Sequence, residues 1–398
     1  MPHPLRLGLL LAVLGGCAAP APTATRPAVY VAPDSVVARL DGVEVIDGGL
    51  SALTLGPGGA LWTVSDRGPN LEAEVSAGRP AKRFALPDYA PLISRVDTTG
   101  GVLRLVSRRP VRTPDGRAAT GAPPQSPGAA EVDVEVGLGP DGGLVPVDPW
   151  GVDAEGLEFD GESLWLAEEY RPSLWRLDAA TFAVRERWTP APTDPIDRPL
   201  PPVLAGRQPN LGFEGVAVMD GAVVASLQGP ISTPDTDPAT PFVRLLRLDA
   251  EAGTAETFAY PMDGPLRKVG DLAALPDGRL LVLEHGPGPD GRWSGGVYAV
   301  TLRGAAPLAD ALPERFATAE RARAAGIAVL DKRLVLDLVP SGWPATLLKP
   351  EGLAVLPDGR LAVIADNDYG VDAPAADGRP VATGVRSTLV VFRVEGLE

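Results

Sequence analysis

Short apolar runs alternate with Gly-bearing turns along most of this chain, and five segments share one layout. An acidic or small polar residue precedes a brief apolar run. A turn follows, then a second apolar run that ends in polar or charged residues. The segments are SALTLGPGGALWTVSDRG from Ser51, EGLEFDGESLWLAEEY from Glu155, EGVAVMDGAVVASLQG from Glu214, GDLAALPDGRLLVLEHG from Gly270 and EGLAVLPDGRLAVIADND from Glu351. Two apolar runs about a Gly turn predict a β-hairpin, which brings the start of its first strand beside the end of its second. Each unit therefore presents two polar positions at one end. Repetition around an axis would gather them into a single site.

The middle repeats are spaced like four-stranded propeller blades. The longer interval between Ser51 and Glu155 holds strand-like runs at 92–96 and 102–108, a Pro/Gly-rich stretch at 110–128 and a hairpin-like pair near 139–143. It reads as the remainder of one blade plus a blade that has lost the signature. Five visible units and one cryptic unit predict an all-β, six-bladed β-propeller, with five and seven blades as alternatives. Segments 36–46 and 387–394 are expected to share a blade and close the ring, removing exposed sheet edges. The stretch 312–327, rich in Ala, Glu and Arg, predicts a short helical insertion. Trp62, Trp165, Trp175 and Trp188 are read as packing between blades.

Composition narrows the function classes. The 398 residues are 45% hydrophobic, enough for a large core, and the 46 Gly and 44 Pro mark many turns. A formal charge of −15 leaves no basic stripe for nucleic acid and suits a protein that collects a cation. The single cysteine is Cys17. A basic start, a short apolar run and Leu14-Gly15-Gly16-Cys17 predict a signal peptide over 1–16, with a lipobox whose Cys becomes lipidated. Residues 17–33 then form the lipidated Cys and a flexible tether, and 34–398 form the propeller domain. The expected location is a bacterial membrane's periplasmic or cell-surface face, with the lipid as the only membrane contact. The mature domain holds no other thiol, which excludes disulfides, thiolate metal sites and Cys nucleophiles.

Aligned on their second strands, the repeats place Asp66, Glu169, Gln228, His285 and Asp366 in one column. Glu168 and Glu284 stand one position before it, and Arg67 and Tyr170 one after. The first-strand column is Ser51, Glu155, Glu214, Gly270 and Glu351, with Asp271 one step later. So many carboxylates at one mouth need a hard cation, neighbouring bases or raised pKa values. Calcium suits an all-oxygen donor set, and Asp66, Glu155, Glu214, Asp271, Glu351 and Asp366 are its candidate ligands. Zinc suits it poorly, because His285 is the only histidine outside the signal segment. Arg67, Lys268, Lys349 and Tyr170 are candidates for holding an anionic substrate. Glu168, Glu169 and Glu284 are candidate general bases towards water, and His285 is a further catalytic candidate. The rival structural reading is that these acids cap backbone amides or start turns. The Asp-Gly pairs at 160, 277 and 358 are turn chemistry at the opposite end, and no Gly-Xaa-Ser-Xaa-Gly elbow is present.

At these residues the chain resembles the bacterial phytase-like family described as "esterase-like activity of phytase". The matching motifs are Ser65-Asp66-Arg67-Gly68, Asp153-Ala154-Glu155-Gly156, Asn210-Leu211-Gly212-Phe213-Glu214-Gly215, Gly270-Asp271-Leu272 with Leu281-Val282-Leu283-Glu284, and Glu351-Gly352-Leu353 with Asp366-Asn367. They span about residues 48 to 393 in the family's order. His285 stands where the family usually has Arg, and Lys349 where it often has Asn. The resemblance implies a propeller and hydrolysis of esters or phosphoesters. The expectation is thus a hydrolase acting on a small anionic ester or phosphoester through a calcium-activated water. The alternatives are a calcium-dependent lactonase and a non-catalytic binding propeller.

Overall fold

The computed structural model describes residues 26–76, 79–124, 135–288, 290–373, 378–395 and 397. Five four-stranded antiparallel units surround one axis. Blade 1 is Thr54–Leu55, Leu61–Val64, Leu92–Asp97 and Arg104–Pro110. Blade 2 is Ala154–Asp160, Ser163–Glu168, Ser173–Asp178 and Val184–Thr189, with Asp197–Pro199 added in parallel at its edge. Blade 3 is Phe213–Met219, Ala222–Leu227, Phe242–Asp249 and Thr254–Pro261. Blade 4 is Lys268–Ala274, Leu280–Pro287, Trp293–Val300 and Lys332–Asp337. Blade 5 is Pro350–Val355, Leu361–Ala365 and Thr388–Phe392, completed by Ala28–Val31 from the other end of the sequence. The first-named strand of each blade is innermost. These inner strands contact one another in the order 1, 2, 3, 4, 5 and back to 1. The fold is a β-propeller.

Two sequence expectations are corrected here. Among the described residues there are five blades, not six. The long interval before Glu155 supplies the rest of blade 1 and a three-stranded sheet, Asn70–Ser76, Arg79–Phe84 and Val136–Leu138, that roofs the mouth. Ring closure is made not by 36–46 but by Ala28–Val31, which pairs with Thr388–Phe392 from Ala28 opposite Val391 to Val31 opposite Thr388. That strand falls inside the expected tether. Its backbone pairing covers the otherwise open edge of blade 5. Val36–Leu40 and Val43–Ile46 form a separate hairpin.

Apolar side chains fill the gaps between blades. Trp165 and Trp188 pack with Phe213, Leu227 and Tyr260, while Trp175 packs with Ile93, Leu157 and Phe182. Trp62 stands edge-on to Phe159 with ring centroids 5.7 Å apart. The tryptophans are therefore packing residues, as their placement predicts. The helical insertion is one short helix, Ala319–Ala324, capped by Thr318. Among the described residues no helix is long and apolar enough to cross a membrane. Cys17 and residues 1–25 lie outside the described residues.

Candidate metal centre and its mouth

The Glu-Gly pairs that recur in the sequence sit at β-bulges. The ladder between first and second strands skips a residue between Ala154 and Gly156, between Phe213 and Val216, between Val269 and Asp271, and between Pro350 and Gly352. A bulge re-aims one side chain away from the regular alternation, and here the re-aimed residue is Glu155, Glu214 or Glu351. The glycine of the pair lets the next inner strand approach. A Cβ on Gly156 would meet the Glu214 carbonyl oxygen at 2.4 Å, and one on Gly352 would meet the Ala52 carbonyl carbon at 2.6 Å. One dipeptide thus does two jobs: it joins neighbouring blades and delivers a carboxylate to the mouth.

Three rings of equivalent positions result. The bulge level carries Ser51, Glu155, Glu214, Gly270 and Glu351. The ends of the second strands carry Asp66, Glu169, Gln228, His285 and Asp366. Two residues before the bulge come Gly49, Asp153, Gly212, Lys268 and Lys349. Most of these line a pocket of about 370 Å³ that Ser51, Asp66, Arg67, Glu155, Glu169, Gln228, Lys268, Lys349, Glu351 and Asp366 share with Asn70, Leu71, Glu72 and Lys82 of the roofing sheet. The third ring gives the mouth a polarity. Blade 2 contributes Asp153, and blades 4 and 5 contribute lysines.

On the blade 2 side, ligand oxygens of Asp153, Glu155 and Glu169 lie within 4.8 Å of one another, and all three residues are buried. Burial raises the carboxyls of Glu155, Glu169 and Glu214 well above the usual range, and their mutual repulsion with Asp153 adds to it. Glu169 Oε1 and Glu214 Oε1 are buried with no hydrogen-bond partner. Glu214 uses its other oxygen to accept from Gln228 Nε2 at 2.9 Å. Orphaned carboxylate oxygens at this spacing fit a hard divalent cation. The donor set is all oxygen, which disfavours zinc.

Asp66, just past the second strand of the neighbouring blade 1, accepts from Tyr369 Oη and the Gly68 amide, both at 2.8 Å. Burial and Asp153 push its carboxyl up to about 7. Asp366 is raised by burial and by Asp368, against the pull of Lys349. Glu351 is also raised by burial, and Lys349 opposes the rise.

The cations differ in what they already hold. Arg67 lies 2.8 Å from Glu135, 2.6 Å from Asn210 Oδ1 and 3.1 Å from Asp153. Lys349 pairs with Asp366 at 3.5 Å and with Asp368. Lys82 pairs with Glu72 and reaches Glu135 at 4.0 Å. Among the described residues the Lys268 ammonium makes no ion pair within 4 Å and no side-chain hydrogen bond; its charge acts at longer range, opposing the rise of the Glu169, Glu214 and Glu351 carboxyls.

Of the residues expected from sequence, Asp66, Arg67, Glu155, Glu169, Lys268, Lys349, Glu351 and Asp366 meet at this pocket, with Glu214 just beneath. Five do not. Asp271, expected as a metal ligand, turns into the channel and accepts amides of Leu53 (3.3 Å), Leu353 (2.8 Å) and Leu272 (2.8 Å), tying blades 1, 5 and 4 together. Glu168, expected as a base, accepts from the Tyr170 and Arg171 amides and Ser173 Oγ, closing the turn after its own strand. Glu284, also expected as a base, is buried between Arg267 (3.1 Å), Lys332 and Tyr260. Tyr170 donates to the Gly121 carbonyl at 2.8 Å and presents its ring to Arg67, so it backs the guanidinium instead of facing a substrate. His285 is buried, bonds the Leu348 backbone and is pushed down to about 3 by burial and by Lys268 and Lys349, which keeps it neutral. Asp153, Asn210, Glu135 and Lys82 carry roles that the column alignment passed over. For Asp153 the signal was present, two residues before the Glu-Gly pair, where blades 4 and 5 place lysines.

A family model described as "Phytase-like: Esterase-like activity of phytase" matches residues 47–369. The chain belongs to this family. No curated protein matches the sequence. Among solved structures, Myxococcus xanthus glutaminyl cyclase is similar at 10% identity and a TM-score of 0.37, covering 93% of this chain and 98% of that one. The PQQ-bound aldose sugar dehydrogenase of Streptomyces coelicolor is similar at 15% identity and a TM-score of 0.30, covering 94% and 100%. Hydrazine synthase of Kuenenia stuttgartiensis follows at 13% and 0.34, covering 80% and 77%. Likenesses this loose say nothing about the chemistry of the mouth.

Proposed function

We propose that this protein is a calcium-dependent hydrolase of ester or phosphoester substrates, working at the axial mouth of the propeller. The observation that carries the reading is one pocket that joins Glu155 and Glu169 of the buried acid cluster to Lys268, a lysine with no ion pair within 4 Å among the described residues. Asp153, Glu155 and Glu169 would hold the ion, with Glu214 beneath them. A bound divalent cation supplies Lewis acidity and a water of lowered pKa. Lys268 takes the anionic oxygen of the substrate, and Lys349, oriented by Asp366 and Asp368, flanks it. Glu351 lines the pocket outside the cluster, and its carboxyl is raised by burial. A carboxylate of raised pKa in that position accepts the proton of an attacking water.

A lactonase would present a more neutral wall. Here eight carboxylate residues and four cationic ones line the pocket, which favours a charged substrate. The test is turnover of p-nitrophenyl phosphate and p-nitrophenyl acetate with calcium and with chelator, for the wild type and Glu155→Gln. Calcium-dependent turnover lost in the variant supports the proposal. Calcium binding without turnover of either ester would make this a binding propeller instead.

We also propose that the chain is exported and held to a bacterial membrane through a lipid on Cys17, on the strength of the Leu14-Gly15-Gly16-Cys17 run. Labelled palmitate should enter the wild type and not Cys17→Ala; equal labelling of both would remove the anchor from the account.

A further inference from the structure

Lys349 carries two carboxylates where one would neutralise it, and the two differ in exposure. Asp366 stands 3.5 Å from its ammonium with a side chain only 3% exposed, and Asp368 pairs with it while 49% exposed. Asp366 therefore holds the ammonium from the buried side and Asp368 from the open side. All three residues line the pocket, and Asp368 is the one exposed residue between Leu361 and Gly370. The hydrolytic reading above, on which this inference rests, sets Lys349 beside the substrate's anion. A carboxylate of the protein already stands there.

The backbone leaves its ordinary range to place that carboxylate. Asp368 and Tyr369 are consecutive left-handed residues, with φ of 47° and 53°. Asp visits that region readily, but a bulky tyrosine does so rarely and under strain. The Tyr369 side chain holds the turn. Its hydroxyl donates to Asp66 at 2.8 Å, and its ring stands edge-on to Tyr89 with centroids 5.8 Å apart. A Cβ on Gly49 would meet Tyr369 Cε2 at 2.4 Å, so the ring lies directly on that glycine. Asp366 Oδ1 accepts the Asp368 amide at 2.9 Å and fixes the turn from the strand side. The backbone is thus locked, while the half-exposed ion pair that it presents exchanges at small cost.

We infer that Asp368 is a specificity-determining residue, a built-in competitor whose carboxylate occupies the open side of Lys349 until a substrate anion displaces it. The ammonium keeps Asp366 and exchanges Asp368 for an anionic oxygen of the substrate. Asp368 turns towards solvent, then takes its place back as the anionic product leaves. Anions that gain no more from the lysine than a carboxylate does are disfavoured.

The probe is methylphosphonate, titrated by calorimetry into the full chain at fixed free calcium. Asp368→Asn keeps a residue that tolerates the left-handed turn and removes the competing charge. It should bind the probe about five- to tenfold tighter than the wild type does, with a melting temperature within about 2 °C. Loss of any nearby negative charge would also favour an anion, so the substitution is repeated in Lys349→Met. With no lysine to release, the gain there should fall below about twofold. Unchanged or weaker binding in Asp368→Asn, a gain of the same size without Lys349, or no probe binding by Asp368→Asn would each overturn the inference. Failure of the hydrolytic reading shows separately, as absent ester turnover with this binding pattern intact.

Discussion

Arg67 holds Asp153 twice: its backbone amide donates to Oδ1 at 3.1 Å, and its guanidinium Nη1 stands 3.1 Å from Oδ2. The two residues belong to different blades, so this contact sets the blade 1 side of the mouth against the acid cluster of blade 2. Glu135 and Asn210 hold the same guanidinium, and the Tyr170 ring lies 5.4 Å from its carbon. Arg67 is therefore a positioning residue for a carboxylate of the acid cluster, where the sequence suggested a direct contact with substrate.

The two lysines of the mouth should separate by function. Lys268→Met removes a charge that makes no ion pair within 4 Å among the described residues, so KM for an anionic ester should rise roughly tenfold with little change in melting temperature. Lys349→Met leaves Asp366 and Asp368 facing each other without their shared cation. It should lower the melting temperature by roughly 2–4 °C. Paired kinetics and thermal melts of the two variants check this. A Lys268→Met variant that lowers the melting temperature as Lys349→Met does, with KM unchanged, would mean that Lys268 too is structural.

Asp271 should matter to stability and not to the metal. Both its oxygens accept backbone amides, and Oδ2 serves Leu53 and Leu353 together. Asn can present only one acceptor oxygen and turns an N–H toward an N–H. Asp271→Asn should cost about 2–3 kcal/mol in urea unfolding while calcium stoichiometry stays unchanged.

Stability in chelator should depend on Glu158, which lies lower in the channel and accepts from Thr54 Oγ1 at 2.8 Å. Burial lifts its carboxyl from 4.5 to about 8. Between those values the unfolded chain has released a proton that the folded chain retains, so folding weakens as pH rises and the full penalty is reached above about pH 8. Glu158→Gln should flatten that part of the curve, measured as melting temperature against pH. An unchanged slope would place the titration elsewhere.

Blade 5 depends on a strand from the opposite end of the sequence. A chain beginning at residue 34 loses Ala28–Val31 and exposes the edge of Thr388–Phe392. It should melt several degrees lower and aggregate more readily than one beginning at residue 26, by scattering during a thermal ramp.

The repeat of hairpins was legible because period-two apolar runs and Gly turns are local signals, and five hairpins gave five blades. The sixth came from spacing alone. An insertion that roofs a blade lengthens the interval as much as a blade does, and its strands carry no repeat signature. Ring closure was misplaced because Ala28–Val31 lies in a stretch rich in Ala, Pro and Thr that reads as tether while 36–46 reads as strand, and only pairing with Thr388–Phe392 reveals the closing strand. At the site, the column of Glu155, Glu214 and Glu351 was visible, yet the bulge that aims them was not, since a ladder's register shift depends on two strands. Asp271, Glu168 and Glu284 matched the pattern equally well. What separates them is which amides or guanidinium each one meets, and that is set by residues far away in the sequence.

Isothermal titration of calcium into the metal-free protein tests the central claim most directly. The account predicts one strongly bound ion per chain for the wild type, in about the micromolar range, and its loss in Glu155→Gln at unchanged fold. A wild type that takes up no calcium, or a Glu155→Gln variant that binds it equally well, would contradict the account.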